Sequence, residues 1–357
     1  MNSNIIKLGD KKIGCGQPVY IVFEAGPTHD GFETAKKLVD MAAEAGADAI
    51  KFQILRAEKI VSSRDVQFSY TRLVNEKTQE LEEVTEPLLD ILQRREMKWE
   101  EWTALIKYCR KKGIEFFSTA TDEEELSFLN ANSVNTVKIC SGDVNYHYFL
   151  RQAAQYKWSI QLDTGASSLG EIETAIDVLQ SEGCHNIIIN HCPSGYPAHL
   201  ESINLRVIQT LKQMFPYPVA FSDHSPGFEM DIAAVAMGAN MIEKTITLDR
   251  TIRSPEHIMS LNPESCQSFV ETIRDLEIAQ GAPRRVLSEE EKLKCINIRR
   301  SLFAACKIKK GEQLTQSMIH YARPGDGIPA NLDYTVIGRE AKKDIMKGTK
   351  LHIDDFI

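Results

Sequence analysis

Short runs rich in Val, Ile and Phe recur along the first 245 residues: VYIVFEA (19–25), DAIKFQ (48–53), IEFFST (114–119), TVKIC (136–140), SIQLDT (159–164), NIIINH (186–191), PVAFSD (218–223) and NMIEK (240–244). Their near-continuous apolar character predicts strands buried on both faces rather than half-exposed ones. Helical patterns lie between them. In FETAKKLVDMAAEAG, Ala35, Leu38, Val39, Ala42 and Ala43 follow a 3.6-residue period, as do Ile172, Ala175, Ile176 and Leu179 in LGEIETAIDVLQSEG. Regular alternation of the two patterns predicts parallel strands covered by helices, and eight such units close naturally into a (β/α)8 barrel. An open doubly wound sheet is the alternative, but no G-x-G-x-x-G turn follows the first strand.

Polar or ionisable residues end every predicted strand: Glu24, Lys51 and Gln53, Ser118 and Thr119, Lys138 and Ser141, Asp163, Asn190 and His191, Ser222 with Asp223 and His224, then Glu243 and Lys244. In a barrel these positions converge on the C-terminal mouth, where active sites of this fold are built. Two segments interrupt the repeat. Residues 54–96 are long and strongly charged, and read either as a lid over the mouth or as a mobile surface loop. After the helical pattern ESCQSFVETIRDLEIAQG, the run APRRVLSEEEK reads as a linker. These signals predict a barrel domain over 1–281, a linker over 282–295 and a small β-rich domain over 296–357.

Composition narrows the function. With 42 basic against 50 acidic residues the formal charge is −8, so no general basic field exists to hold nucleic acid. The apolar runs are too short to cross a bilayer, and the start MNSNIIKLGDKK has no apolar signal region, which points to the cytoplasm. The eight cysteines are scattered without a C-x-x-C pair and read as reduced thiols, several of them packing in the core.

Lys51, Lys138 and Lys244, with Ser118, Thr119, Ser141 and Ser222, predict a cationic, hydroxyl-rich floor suited to a phosphate or a phosphate plus a carboxylate. A Schiff-base aldolase would also want a strand-end lysine, so lysine alone does not decide the chemistry. His29, His191 and His224 are candidate metal ligands, though no H-x-H or H-x-x-x-H pair ties them to that role.

The segments FEAGPTHDG, GADAIKFQ, KICSGDVNYHYFLRQAA, LDTGASSLGEIETAI, HCPSGYPAHLESINLRVIQTL, FSDHSPGFEMDIAAVAMGANMIEKTITLD and SPEHIMSLNP resemble the sialic acid synthase family, which includes legionaminate and pseudaminate synthases and a spore-coat polysaccharide branch. RRSLFAACKIKKGEQLT and ARPGDGI resemble its C-terminal antifreeze-like (SAF) domain, so the likeness covers nearly the whole chain. It implies a barrel followed by that small domain. It also implies condensation of phosphoenolpyruvate with an open-chain N-acylated hexosamine aldehyde, such as N-acetylmannosamine, to give a nonulosonic acid and phosphate. A divalent cation, Mn or Mg, would serve as Lewis acid on the aldehyde.

By the same resemblance, Lys51, Thr119, Lys138, Ser141, Asp163, Ser194 and Ser222 stand at phosphoenolpyruvate-binding positions, and Gln53, Asp143, Tyr196 and Glu256 at positions contacting sugar. Glu24 occupies the acidic position of the first strand, and with Lys51, Lys138 and His224 forms the implied catalytic set. His224 matches one metal ligand. Arg323 in ARPGDG matches an arginine that reaches sugar bound in the partner subunit of a domain-swapped homodimer.

Four departures cluster at the same mouth. The family's I-E-K-H reads Ile242-Glu243-Lys244-Thr245, so the second metal-ligand histidine is a threonine. S-T-G-M reads Asp163-Thr164-Gly165-Ala166, which puts a carboxylate beside the phosphate position unless it pairs with a lysine. The asparagine of N-H-x-G is Thr28, and G-P-D-H is Ser254-Pro255-Glu256-His257. These changes leave two alternatives beside an active synthase: a diverged lyase or transferase using another anionic substrate, and a non-catalytic sugar-binding paralogue.

Overall fold

A computed structural model describes residues 4–357. The chain divides into two compact units at Gly281. In the first, eight parallel strands form a closed barrel: β1 (Tyr20–Glu24), β2 (Ala49–Gln53), β3 (Glu115–Thr119), β4 (Thr136–Ile139), β5 (Ser159–Asp163), β6 (Ile187–His191), β7 (Val219–Asp223) and β8 (Met241–Thr245). Neighbours in sequence are neighbours in the sheet, and β8 pairs with β1 to close it. Every strand predicted from the apolar runs is present, each within a residue or two of its expected limits.

The strands form because both faces are buried: β1, β5, β6, β7 and β8 are buried at every position. Helices return the chain between them. Helix Phe32–Glu44 buries Ala35, Leu38, Val39, Met41 and Ala42, and helix Leu169–Ser181 buries the predicted Ile172, Ala175, Ile176 and Leu179. Their starts are chemically marked. Ser168 and Glu171 form a capping box, Asp122 accepts from the Glu125 amide, and Asn262 accepts from Ser265 ahead of Pro263 at the first helical turn.

The insertion over residues 54–96 is ordered. It holds a short helix Ala57–Ile60, an antiparallel hairpin Gln67–Asn75 with Glu80–Pro87, and a helix Leu88–Gln93. Tyr70, Val84 and Ile91, with Phe68 against them, give it a small core of its own. An N-terminal hairpin, Ile6–Leu8 with Lys11–Ile13, is a further element that the sequence pattern did not signal.

The second unit carries an antiparallel pair, Ser301–Ala304 with Ile319–Ala322, and several isolated bridges around Leu302, Ile308, Leu314, Val336, Leu351 and Phe356. The second half of the segment read as a linker, 282–295, begins a helix, Glu289–Ile298, which runs three residues beyond it and starts at a Ser288–Glu291 capping box. Cys109, Cys184, Cys192 and Cys266 are buried, while Cys15 and Cys306 are exposed. Among the described residues no helix is long and apolar enough to cross a membrane.

Strand parity sorts the strand-end side chains, because successive residues face opposite sides of the sheet. Lys244, expected at the mouth, instead lies fully buried behind the sheet. It donates to Asp223 and, at 2.6 Å, to the Ser225 carbonyl, and stands 3.6 Å from Asp231 on helix Glu229–Ala236. His191 turns the same way and donates from Nε2 to the Ile203 carbonyl at 2.7 Å. Ser118 ties β2 to β3, its hydroxyl accepting from the Ile54 amide at 2.8 Å. His29 packs edge-on against Phe52 and Trp102. Replacing Lys244 with Met would leave Asp223 and Asp231 as buried carboxylates without a cation, and should cost about 3–5 kcal/mol of stability in urea unfolding. A variant as stable as the parent would contradict this placement.

Candidate active site

Eight strand ends meet at a cavity of about 580 Å³. At its floor, Lys51 and Lys138 are almost completely buried among three carboxylates. Lys51, on β2, pairs with Glu24 of β1, lies 3.4 Å from Glu243 Oε1 and reaches Thr119 Oγ1 at 3.5 Å. Lys138, on β4, donates to Glu243 Oε1 at 2.5 Å and lies 2.9 Å from Asp163 Oδ2. Sheet register builds this cluster, since Glu24 is opposite Lys51, Thr119 opposite Lys138, and Ser222 opposite Glu243.

Glu243 is the hub. It accepts from Lys138, from Ser222 Oγ at 3.1 Å and from Gln161 Nε2 at 3.0 Å. Burial alone would raise its carboxyl, but Lys138 and Lys51 outweigh that and hold it at about 2. The other two carboxyls shift the opposite way. Burial pushes Glu24 and Asp163 up, with the lysines only partly opposing it. Both lysines stay above the ordinary ammonium value, because their carboxylate neighbours exceed the burial penalty. Asp163 therefore does have the lysine partner that its position demanded, and Asn190 donates to its other oxygen.

The cavity wall carries Gln53, Thr119, Ser141, Asp143, Tyr196, His224 and Glu256. The Tyr196 ring packs on His224 with centroids 4.7 Å apart. His224 Nδ1 is 3.1 Å from the Pro193 carbonyl, which fixes the proton on Nδ1 and leaves Nε2 with a free lone pair. Burial first, then Lys138, holds this imidazole at about 4, so it is neutral at physiological pH. The insertion supplies an apolar part of the wall through Leu55, Ile60, Phe68, Leu88, Ile91 and Leu92.

Two residues assigned to phosphoenolpyruvate by resemblance lie outside the lining: Ser194 is exposed on the loop after β6, and Ser222 sits beneath the floor, bonded to Glu243. Arg323 belongs to the second unit, where it is exposed just after strand Ile319–Ala322. Sequence reasoning missed Gly26 and Arg95. A Cβ on Gly26 would lie 2.6 Å from the Gln53 amide nitrogen and 2.7 Å from Glu24 Oε1, an oxygen that the Gly26 amide itself caps. The signal was the glycine directly after a strand-end acid. Arg95 was hidden in the charged run QRREMK.

The NeuB family model matches residues 38–285 and the SAF domain model residues 299–357. The chain belongs to the NeuB family. It is similar to an N,N'-diacetyllegionaminic acid synthase of Campylobacter jejuni, at 35% identity over 91% of this chain and 96% of that protein. An uncharacterized protein of Methanocaldococcus jannaschii is also 35% identical, over 99% of this chain and 98% of its own length. Among solved structures, the N-acetylneuraminic acid synthetase of Leptospira borgpetersenii, crystallised with citrate, is 32% identical, with a TM-score of 0.71 over 82% of this chain and 95% of that one. The NeuB relatives so named are nonulosonic acid synthases, which fixes the general kind of reaction.

The metal implied by the resemblance is poorly matched by these side chains. His224 offers one nitrogen, and the second ligand position is Thr245, buried at the end of β8. Glu24 and Glu243 are engaged by lysines, while His191 and His29 face away from the mouth. Among the described residues no group of three His, Cys, Asp or Glu side chains is arranged to hold a cation. Titrating Mn into the free protein should therefore show weak binding, and Thr245→His should tighten it about tenfold or more by restoring an imidazole. Tight binding by the parent would mean that another residue has replaced the histidine.

Proposed function

We propose that this NeuB-family chain condenses phosphoenolpyruvate with the aldehyde of an open-chain N-acylated hexosamine, yielding a nonulosonic acid and inorganic phosphate. The observation that carries the reading is the pair of buried ammonium groups, Lys51 and Lys138, set at the ends of alternate strands β2 and β4 on the floor of a sugar-sized cavity. Each is a fixed charge in a site with little water, where it acts on an anion far more strongly than in solvent. Thr119 and Ser141 add hydroxyl donors beside them.

In this scheme the enol π electrons attack the aldehyde carbon, forming the bond to C3, and the aldehyde oxygen takes a proton to become a hydroxyl. We assign that proton to Glu24, whose carboxyl burial raises, while the adjoining Lys51 stays charged. Water then adds at C2, where positive charge has developed, and the C2–O bond to phosphate breaks as the new C2 hydroxyl becomes the ketone, its proton leaving with the phosphate. His224, neutral and with Nε2 unprotonated, is the acceptor assigned to that water's proton. Gln53, Asp143, Tyr196 and Glu256 supply polar contacts for the sugar chain. Arg323 is assigned to sugar bound by a second copy of the chain, in a homodimer.

Lys51→Met and Lys138→Met should each weaken phosphoenolpyruvate binding by about 2 kcal/mol or more, because a charge-assisted partner is lost from a desolvated site. Calorimetric titration reads this directly, and phosphate release with a panel of N-acylated hexosamines tests the reaction itself. Parental affinity in both variants would refute the assignment of the floor.

A further inference from the structure

Arg95 follows helix Leu88–Gln93 of the insertion and lines the cavity while only 5% exposed. Its guanidinium has five donors, and one bond from Nη2 to Ser254 Oγ, at 3.1 Å, is the only hydrogen bond it makes among the described residues. The nearest carboxylate, Glu256, stands at 3.8 Å from Nη1, beyond hydrogen-bonding distance. A buried guanidinium with so few partners is costly to keep in a folded protein, and such a group in a cavity wall marks a place where a ligand completes it.

The surrounding charges sharpen the point. Lys51 and Lys138 are each flanked by two carboxylates, and Lys59 of the insertion bonds Asp122 at 2.5 Å and Glu124 at 2.7 Å. The carboxylate beside Arg95 is Glu256, with Glu24 farther off, and burial pushes the Glu256 carboxyl up to about 7, with Arg95 only partly opposing. Near neutral pH Glu256 is thus substantially protonated. His29 and His257, which Arg95 also influences, are held neutral, at about 3 and about 4, chiefly by burial. Arg95 is the cation of this wall whose charge is least answered, and Leu88, Ile91 and Leu92 of the same insertion keep that wall apolar.

We infer that Arg95 is a specificity-determining residue that receives an anionic group of the acceptor sugar, a carboxylate or a phosphate monoester, through the fork of its guanidinium. The planar fork matches both anions with paired hydrogen bonds, which an ammonium cannot do. Arg95 comes from the insertion and not from a strand end, so it meets the acceptor from the cavity wall and not from the floor that holds Lys51 and Lys138. The inference rests on the reading of the cavity as one that takes an amino sugar beside phosphoenolpyruvate.

The test uses the full chain with N-acetylmannosamine, its 6-phosphate and the corresponding 6-carboxylate as acceptors. Wild type should favour one or both anionic acceptors over the neutral sugar by about tenfold to a hundredfold in kcat/KM. The two anionic arms separate the phosphate source from the carboxylate. Arg95→Met should abolish the preference through KM, and Arg95→Lys should restore part of it; melting curves confirm that both are folded. Phosphoenolpyruvate affinity, measured alone, should stay within about twofold of the parent in both variants.

A wild type that prefers the neutral sugar overturns the inference, as does loss of phosphoenolpyruvate binding in Arg95→Met. If no acceptor is turned over, the proposed reaction fails, and calorimetry with the two anionic sugars still decides the inference. Binding that Arg95→Met weakens tenfold or more supports it, and absent or Arg95-independent binding overturns it.

Discussion

Two ammonium groups buried among three carboxylates set the terms for everything at the barrel mouth. Lys51, Lys138, Glu24, Asp163 and Glu243 are almost excluded from solvent, and none would be tolerated there charged without the others. Their spacing comes from the register of adjoining strands, so the closed sheet is what makes the cluster possible. The imbalance is as important as the pairing. With one more acid than base, the cluster can hold a proton on Glu24 or Asp163, whose carboxyls burial pushes upward, while Glu243 stays ionised between both lysines.

The pairing also explains how the chain accommodates a carboxylate, Asp163, at the end of β5. Lys138 and Asn190 occupy its two oxygens, so it acts as part of the cradle that aims Lys138. Thr245 has a different consequence. With Glu24 and Glu243 committed to lysines, neither of these acids stands in for the missing imidazole, and in the proposed reaction proton positioning and fixed cations carry the load.

The barrel was legible because continuous apolar strands and 3.6-period helices leave separate marks, and all eight strands were read from them. The mouth was legible only in part. Choosing polar residues near strand ends ignores which face they occupy, and parity turns Lys244 and His191 outward while Glu243 faces in. Lys244 and Glu243 are adjacent in sequence yet serve opposite sides of the sheet. The insertion hid its hairpin behind charge: Arg72 pairs with Glu82 across the strands, so the alternating pattern reads as a solvated run. Arg95 lay in that same run, and its burial distinguishes it from the exposed Arg94 and the half-buried Glu96 beside it.

The charge balance of the floor can be measured through protons. Calorimetric titration of phosphoenolpyruvate in buffers of different ionisation enthalpy gives the protons exchanged on binding. An anion placed beside Glu24 and Asp163 raises carboxyls that burial already pushes upward, so binding between pH 7 and 8 should be accompanied by net proton uptake. The uptake should fall in Asp163→Asn. Phosphoenolpyruvate binding with no proton exchange at any pH in that range, in parent and variant alike, would contradict a floor in which two lysines are shared by three buried carboxylates.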